Sequence, residues 1–244
     1  IFKNLGRTGK VNLISALTKP IISIYTCEGY SDYLYGPMLH ETKELGLFEL
    51  DYEHDGVLIR TPDEMTQGRI RERINQPKFG SILAESKSWA DILDCRFISD
   101  LNRMNKENKM GDLIRISEGL QEKRIAQIAD HIASHRENIR LILIAGPSSS
   151  GKTSFAQRLR IQLRVNGLRP VMISLDDYFL NREDTPLNEK GQYDYESLDA
   201  LDTRLFNQNM ISLLAGENVQ IPRYNFISGM REWREDTFLS IKED

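Results

Sequence analysis

Cysteine is scarce in this chain: two residues in 244, Cys27 and Cys95, with no CxxC spacing. That argues against a disulfide scaffold, fits a reducing cytosol, and reads both as buried free thiols. Long apolar runs are missing too. None approaches the roughly 20 residues a membrane span needs, so no membrane role is expected. Neither sign of charge dominates: 32 Lys and Arg stand against 36 Asp and Glu. A net charge of −4 gives no global attraction to nucleic acid or anionic lipid. No internal repeat is visible. What is present, 40% hydrophobic and 28% charged residues, suits one large or two modest globular domains. The chain opens on Ile1, with no methionine and no signal-peptide pattern, and closes on "SIKED". It is expected to be part of a longer protein.

Three segments emerge. Residues 1–62 carry strand signals: "PIISIYTCE" is β-branched and aromatic, and "LGLFELDYEHDGVLIRTP" reads as two strands around a turn at His54–Gly56. Residues 63–138 are polar and helical. A broken, mixed-charge linker is followed by apolar Ile82, Trp89, Ile92 and Leu93 at helical spacing. A long amphipathic helix comes next, with Leu113, Leu120, Ile125, Ile128 and Ile132 near one stripe and Asp112 placed to cap its start. From Ile139 the pattern becomes strand, glycine loop, helix, strand. That is a βαβ unit of an α/β fold, which predicts a parallel sheet with a right-handed crossover.

The first turn of that unit is "LILIAGPSSSGKTSF", Leu141 to Phe155. Gly146, four residues, Gly151, Lys152 and Thr153 satisfy G-x-x-x-x-G-K-[ST] between an apolar strand and a helix. Gly146, Ser148, Ser149, Ser150, Gly151, Lys152, Thr153 and Ser154 are the candidate nucleotide-binding residues. The glycines let the backbone wrap closely, with successive amides facing inward as an anion nest at a positive helix end. Lys152 can bridge the terminal phosphates, and the Thr153 hydroxyl can ligate Mg²⁺. GTPases, motors and small-molecule kinases all use such a loop.

The second strand ends at "SLDDYF", placing Asp176 and Asp177 at the carboxyl end where ligands gather in open parallel sheets. A carboxylate there can take a proton from an attacking hydroxyl or hold Mg²⁺; a turn aspartate explains the spacing equally well.

Taken together, "IAGPSSSGKTSF", "SLDDYF", "TPLNEKGQYDYESLDALD" and "VQIPRYNFISGMREW" resemble consecutive motifs of the uridine kinase family, within the wider phosphoribulokinase and uridine kinase group, over residues 139–240. The resemblance implies a P-loop kinase core using ATP or GTP with Mg²⁺ to phosphorylate a nucleoside 5′-hydroxyl. It implies Asp176 as general base, Asp194 on the ribose hydroxyls, and Tyr224 in the substrate pocket. A carboxylate suits a diol because it accepts two hydrogen bonds. Two departures stand out. Where familiar members have a pyrimidine-reading histidine, this chain has Gly229 nearby. The family also continues with an apolar strand ending in a glutamate, then an arginine-rich lid, and this chain ends at Asp244 before both. The expectation for residues 1–244 alone is weak nucleotide binding and little turnover.

"DYLYGPMLHETKELGLFEL", Asp32 to Leu50, resembles the second additional domain of threonyl-tRNA synthetases, over residues 20–62. Editing members hold a metal there, but Tyr35 and Met38 stand at ligand positions, so no zinc is expected. His40 and His54 read as surface or turn histidines. His131 and His135, at i and i+4, lack a third ligand and read as the flank of a helix. The architecture expected is therefore a partial synthetase-like α+β domain (1–62), a helical connector (63–138) and a P-loop kinase core (139–244). Other acceptors remain open, such as a phosphoribulose or a pantothenate-like alcohol. So does an RNA-binding protein with a nucleotide-dependent switch. "GRIRERINQPK", Gly68 to Lys78, is the one basic cluster, and the acidic net charge disfavours strong RNA binding.

Overall fold

Two helices with matching apolar stripes organise the region around the glycine loop. α4 (Met110–Ser134) presents Ile125, Ile128, Ala129 and Ile132, a spacing of 0, 3, 4 and 7 that lines one face. α5 (Lys152–Val165) answers with Phe155, Leu159 and Leu163. Burying these residues contributes about 1.5–3 kcal/mol for each large side chain taken out of water. Polar contacts flank the seam. Glu122 accepts from Arg158 at 2.8 Å and Gln162 at 2.7 Å, and Asp130 accepts from Asn166 at 2.9 Å. These pairs advance in the same sense along both helices, so the intervening chain must return along their length.

The structure, a computed structural model, describes residues 1–19, 21–53 and 56–241. The chain divides into two compact units, Ile1–Gln121 and Glu122–Asp244, with the division falling inside α4.

The first unit holds α1 (Thr8–Ser15), the hairpin β1–β2 (Tyr25–Cys27, Tyr30–Asp32), the hairpin β3–β4 (Glu49–Glu53, Gly56–Arg60), α2 (Pro77–Ile92) and α3 (Ile98–Lys106). The strands on either side of the expected turn are present; His54 and Asp55 of that turn lie outside the described residues. Asp32 gathers this unit's best polar cluster, with Lys10 at 2.9 Å, Arg7 at 3.4 Å and the Tyr33 amide at 2.7 Å. The Lys10 contact outweighs burial and holds its carboxyl below the usual range.

Several expectations need correction. Cys27 is exposed and Cys95 half-buried, so neither is a buried thiol; Cys27 ends a short hairpin strand with water on that side. "PIISIYTCE" forms a strand only over Tyr25–Cys27. Ile82 and Ile92 of α2 are exposed rather than packed. Asp112 lies within the first turn of α4 and bonds Arg115 at 2.6 Å, so it acts on the helix dipole rather than as a cap.

The second unit adds α6 (Thr203–Leu214), the pair β5–β8 (Val219–Gln220, Phe238–Leu239) and the hairpin β6–β7 (Arg223–Asn225, Met230–Glu232). Tyr178, Leu213, Val219 and Ile221 form its second core, joined by Ile173, Leu205, Phe206 and Met210. Asp202 caps α6 by accepting from the Leu205 amide at 2.9 Å. Every strand pair among the described residues is antiparallel and two-stranded. The parallel ladder expected between the segments flanking α5 is not among them. A parallel sheet needs cover on both faces. Here the core takes up only the flanking Ile139, Leu168 and Ile173, while Leu143 in the middle of its run is 77% exposed.

Arg231 ties three segments of this unit together. Its guanidinium donates to the Phe179 carbonyl at 3.2 Å and to Asp202 at 3.0 Å, and its amide donates to Asn181 at 3.0 Å. Burial pushes the Asp202 carboxyl up, but the Leu205 amide and Arg231 outweigh it and leave it below its ordinary value. A carboxyl depressed in the folded state stabilises above its unfolded pKa and loses that contribution as pH falls through the folded value. Arg231→Met should therefore lower unfolding stability by about 1–2 kcal/mol at neutral pH, the Asp202 contact being partly solvated. The gap from the parent should narrow once pH drops well below about 4. Urea unfolding at pH 7 and pH 3 checks both; an equal gap at the two pH values would deny Asp202 its part.

Candidate functional site

The glycine loop precedes α5, with Gly151 at φ +85° as the residue before its first turn. No side chain caps that turn, and its first amides have no intrahelical carbonyl to bond, which leaves donors at the positive end of the helix dipole. Gly146 sits where the loop folds on itself. A Cβ there would stand 2.7 Å from the Ser150 hydroxyl oxygen, so the close wrap requires glycine. Lys152 donates to the Gly146 and Pro147 carbonyls at 2.8 and 3.0 Å, which arches its ammonium across the loop. Ser149 takes φ +58°, uncommon for a residue with a side chain. Ser148, Ser150, Thr153 and Ser154 are exposed with the rest of the loop. The donor set fits a polyphosphate: amides, one ammonium, and hydroxyls that can also serve Mg²⁺.

The second constellation lies around "SLDDYF". Ser174 accepts from the Asp176 amide at 3.3 Å and starts a 3₁₀ turn over Leu175–Tyr178. Tyr178 points inward, fully buried, its hydroxyl accepting from Asn209 at 3.1 Å. Burial pushes that phenol up, beyond what the Asn209 bond offsets. Asp177 is taken structurally, since its carboxylate accepts from the Tyr224 amide at 3.3 Å. Asp176 is exposed, and its carboxylate makes no hydrogen bond among the described residues. One turn thus divides its two aspartates between scaffold and solvent.

Four aromatic rings from three separate motifs meet beside this turn. Phe179 lies 5.9 Å from Tyr195, 5.5 Å from Tyr224 and 6.4 Å from Phe226, and Tyr224 lies 5.0 Å from Phe226; the Phe179–Tyr224 pair is tilted and the other three are edge-to-face. Such edge-to-face contacts add about 0.5–1.5 kcal/mol each beyond burial. Tyr224 is the floor, 7% exposed, with its phenol pushed up chiefly by burial. Phe226 is 63% exposed and leaves the cluster open to solvent on its side. Asp194 sits between Tyr193 and Tyr195. One carboxylate oxygen accepts from the Glu196 amide at 3.2 Å, and the other makes no hydrogen bond among the described residues.

The structure thus brings Tyr224 and the turn bearing Asp176 together, with Asp194 beside a ring of the same cluster. Phe179, Tyr195 and Phe226 were not singled out from sequence. The available signal was an aromatic residue one to three positions from each candidate aspartate or tyrosine. His131 and His135 stack with ring centroids 4.4 Å apart, and His135 turns its Nδ1 to the His131 carbonyl at 2.8 Å. Among the described residues no three His, Cys, Asp or Glu side chains gather as a metal site, and no helix is long and apolar enough to cross a membrane.

Residues 141–240 match the model of the Phosphoribulokinase / Uridine kinase family. Curated relatives match over a comparable length of chain. The uridine kinase of Chloroflexus aurantiacus is 36% identical over 91 residues, 37% of this chain and 43% of that protein. The uridine kinase of Schizosaccharomyces pombe is 39% identical over 90 residues, 36% of this chain and 19% of that protein. That of Mycoplasma genitalium is 32% identical over 91 residues, 37% and 42% of the two chains. The chain spans less than half the length of these relatives. No solved structure matches it. Residues 141–240 are thus similar in sequence to a family of phosphoribulokinases and uridine kinases.

Proposed function

We propose that residues 139–241 perform the nucleotide and acceptor chemistry of an ATP- or GTP-dependent kinase that phosphorylates the 5′-hydroxyl of a nucleoside or a similar sugar alcohol. The observation that carries this reading is the tie from Asp177 to the Tyr224 amide at 3.3 Å, which sets the unengaged Asp176 carboxylate beside an aromatic pocket. The loop amides and Lys152 hold the nucleotide phosphates. Asp194 accepts from the acceptor's vicinal hydroxyls with its open oxygen. The acceptor hydroxyl donates to Asp176. As its oxygen bonds the γ-phosphorus, the bond from phosphorus to the leaving diphosphate breaks and the proton passes to the carboxylate. Thr153 would hold Mg²⁺, which neutralises charge on the phosphates when bound. The segment around residues 20–62 fits a synthetase-like domain without its metal, followed by a helical connector to residue 138.

Phe226→Ala tests the acceptor side. Ring stacking on a base or sugar is worth about 1–3 kcal/mol, so KM for the acceptor should rise about 5- to 100-fold with kcat little changed. Steady-state kinetics on the full-length protein with uridine, cytidine and sugar-alcohol acceptors would show it. An unchanged KM would move the acceptor away from this pocket.

A further inference from the structure

Arg182 lies on the rim of the aromatic pocket in an unusual setting. Its amide donates to the Gly229 carbonyl at 2.8 Å, and its guanidinium donates to the Phe226 carbonyl at 3.2 Å. It has no carboxylate within ion-pairing distance among the described residues, whereas neighbouring Arg231 and Arg234 are paired with Asp202 and Glu232. An arginine has five N–H donors, and one carbonyl leaves most of them unused.

Gly229 makes this placement possible. It takes φ +71°, and a Cβ there would stand 2.7 Å from Arg182 Nε, 2.8 Å from Cζ and 2.9 Å from Cβ. Rotating the guanidinium would not clear the last of these, because Cβ moves only with the backbone. Any larger residue at 229 must displace Arg182 as well as adopt a strained conformation. The arginine occupies the space that a side chain at 229 would take, at the end of the hairpin that carries Tyr224 and Phe226. Its charge also reaches the Tyr224 phenol, where it opposes the upward push of burial and of Tyr195.

We propose that Arg182, seated by Gly229, makes this pocket select an acceptor carrying an anionic group, a carboxylate or a phosphate ester, over a neutral nucleoside. This rests on the kinase reading above and narrows its acceptor. A planar guanidinium with free donors matches the oxygens of either anion in a two-point contact. A neutral base leaves that charge without a partner.

The test uses the full-length protein with ATP and Mg²⁺, and four acceptors: uridine and cytidine as neutral probes, pantothenate as carboxylate, ribulose 5-phosphate as phosphate ester. An anionic probe should be turned over more efficiently than either nucleoside. Arg182→Gln should raise its KM about tenfold or more, with little change in kcat. Arg182→Lys should recover only part of that loss. Gly229→Ala should reproduce the Gln phenotype with Arg182 still present, which a loss of charge elsewhere would not do. Arg182 is exposed, so Arg182→Gln should melt like the parent. Turnover of uridine or cytidine alone, or of an anionic probe with KM unchanged in Arg182→Gln, overturns this inference and leaves the kinase reading standing. Absence of turnover with all four acceptors, with ATP bound, overturns both.

Discussion

Asp176→Asn should lower phosphoryl transfer by about 10²- to 10⁴-fold while leaving ATP affinity unchanged, since positioned proton transfer contributes on that scale. The asparagine keeps the shape of the side chain and removes its basicity. Three features favour a clean result. The carboxylate has no structural hydrogen bond to lose, the Ser174 cap acts on the backbone amide, and the tie to Tyr224 belongs to Asp177. Asp177→Asn should behave differently. It weakens the link to Tyr224 and should loosen acceptor binding more than it slows transfer. Full turnover in Asp176→Asn would remove Asp176 as base, and equal behaviour of the two variants would remove the division of roles.

Lys152→Ala should weaken nucleotide binding sharply. A charge-assisted bond is worth about 1.5–3 kcal/mol, so ATP affinity should fall about 10- to 100-fold from that contact alone. Transfer should fall further, because the ammonium also stabilises charge on the transferring group. Lys152 bridges the Gly146 and Pro147 carbonyls, so its loss also leaves the loop without its internal strut. Lys152→Arg should not rescue fully, since the broader guanidinium cannot reproduce a point charge arched over two carbonyls. Calorimetric titration with ATP measures the first effect and single-turnover transfer the second. Retained affinity in Lys152→Ala would mean that the nucleotide binds elsewhere.

The loop was the most legible part of the site because its chemistry is contiguous. Gly146 to Ser154 declare themselves within nine residues, and the local backbone agrees with the pattern in that Gly151 ends the loop and α5 begins at Lys152. The hairpin from Glu49 to Arg60 was legible for the same reason. The pocket was legible only in part. Asp194 and Tyr224 could be named, but the ring cluster that makes a pocket joins Phe179, Tyr195 and Phe226 across up to 47 residues of chain. Arg182 could not be read from sequence at all, because its role depends on the missing side chain at Gly229, and nothing local to "NRED" points there. The flanking apolar runs misled in the opposite direction. "LILIA" has the composition of a buried strand, yet a strand is a property of pairs, and no ladder joins it here.

A phosphate loop and an aromatic pocket that serve one transfer must pass the γ-phosphate from the first to an acceptor held in the second. The direct measurement follows the γ-phosphate of labelled ATP in the full-length protein, with and without the four acceptors above. Label should appear on an acceptor hydroxyl, dependent on that acceptor and lost in Asp176→Asn. Label released only as inorganic phosphate, at a rate indifferent to every acceptor and to Asp176, would contradict it and make the loop the heart of a nucleotide-driven switch.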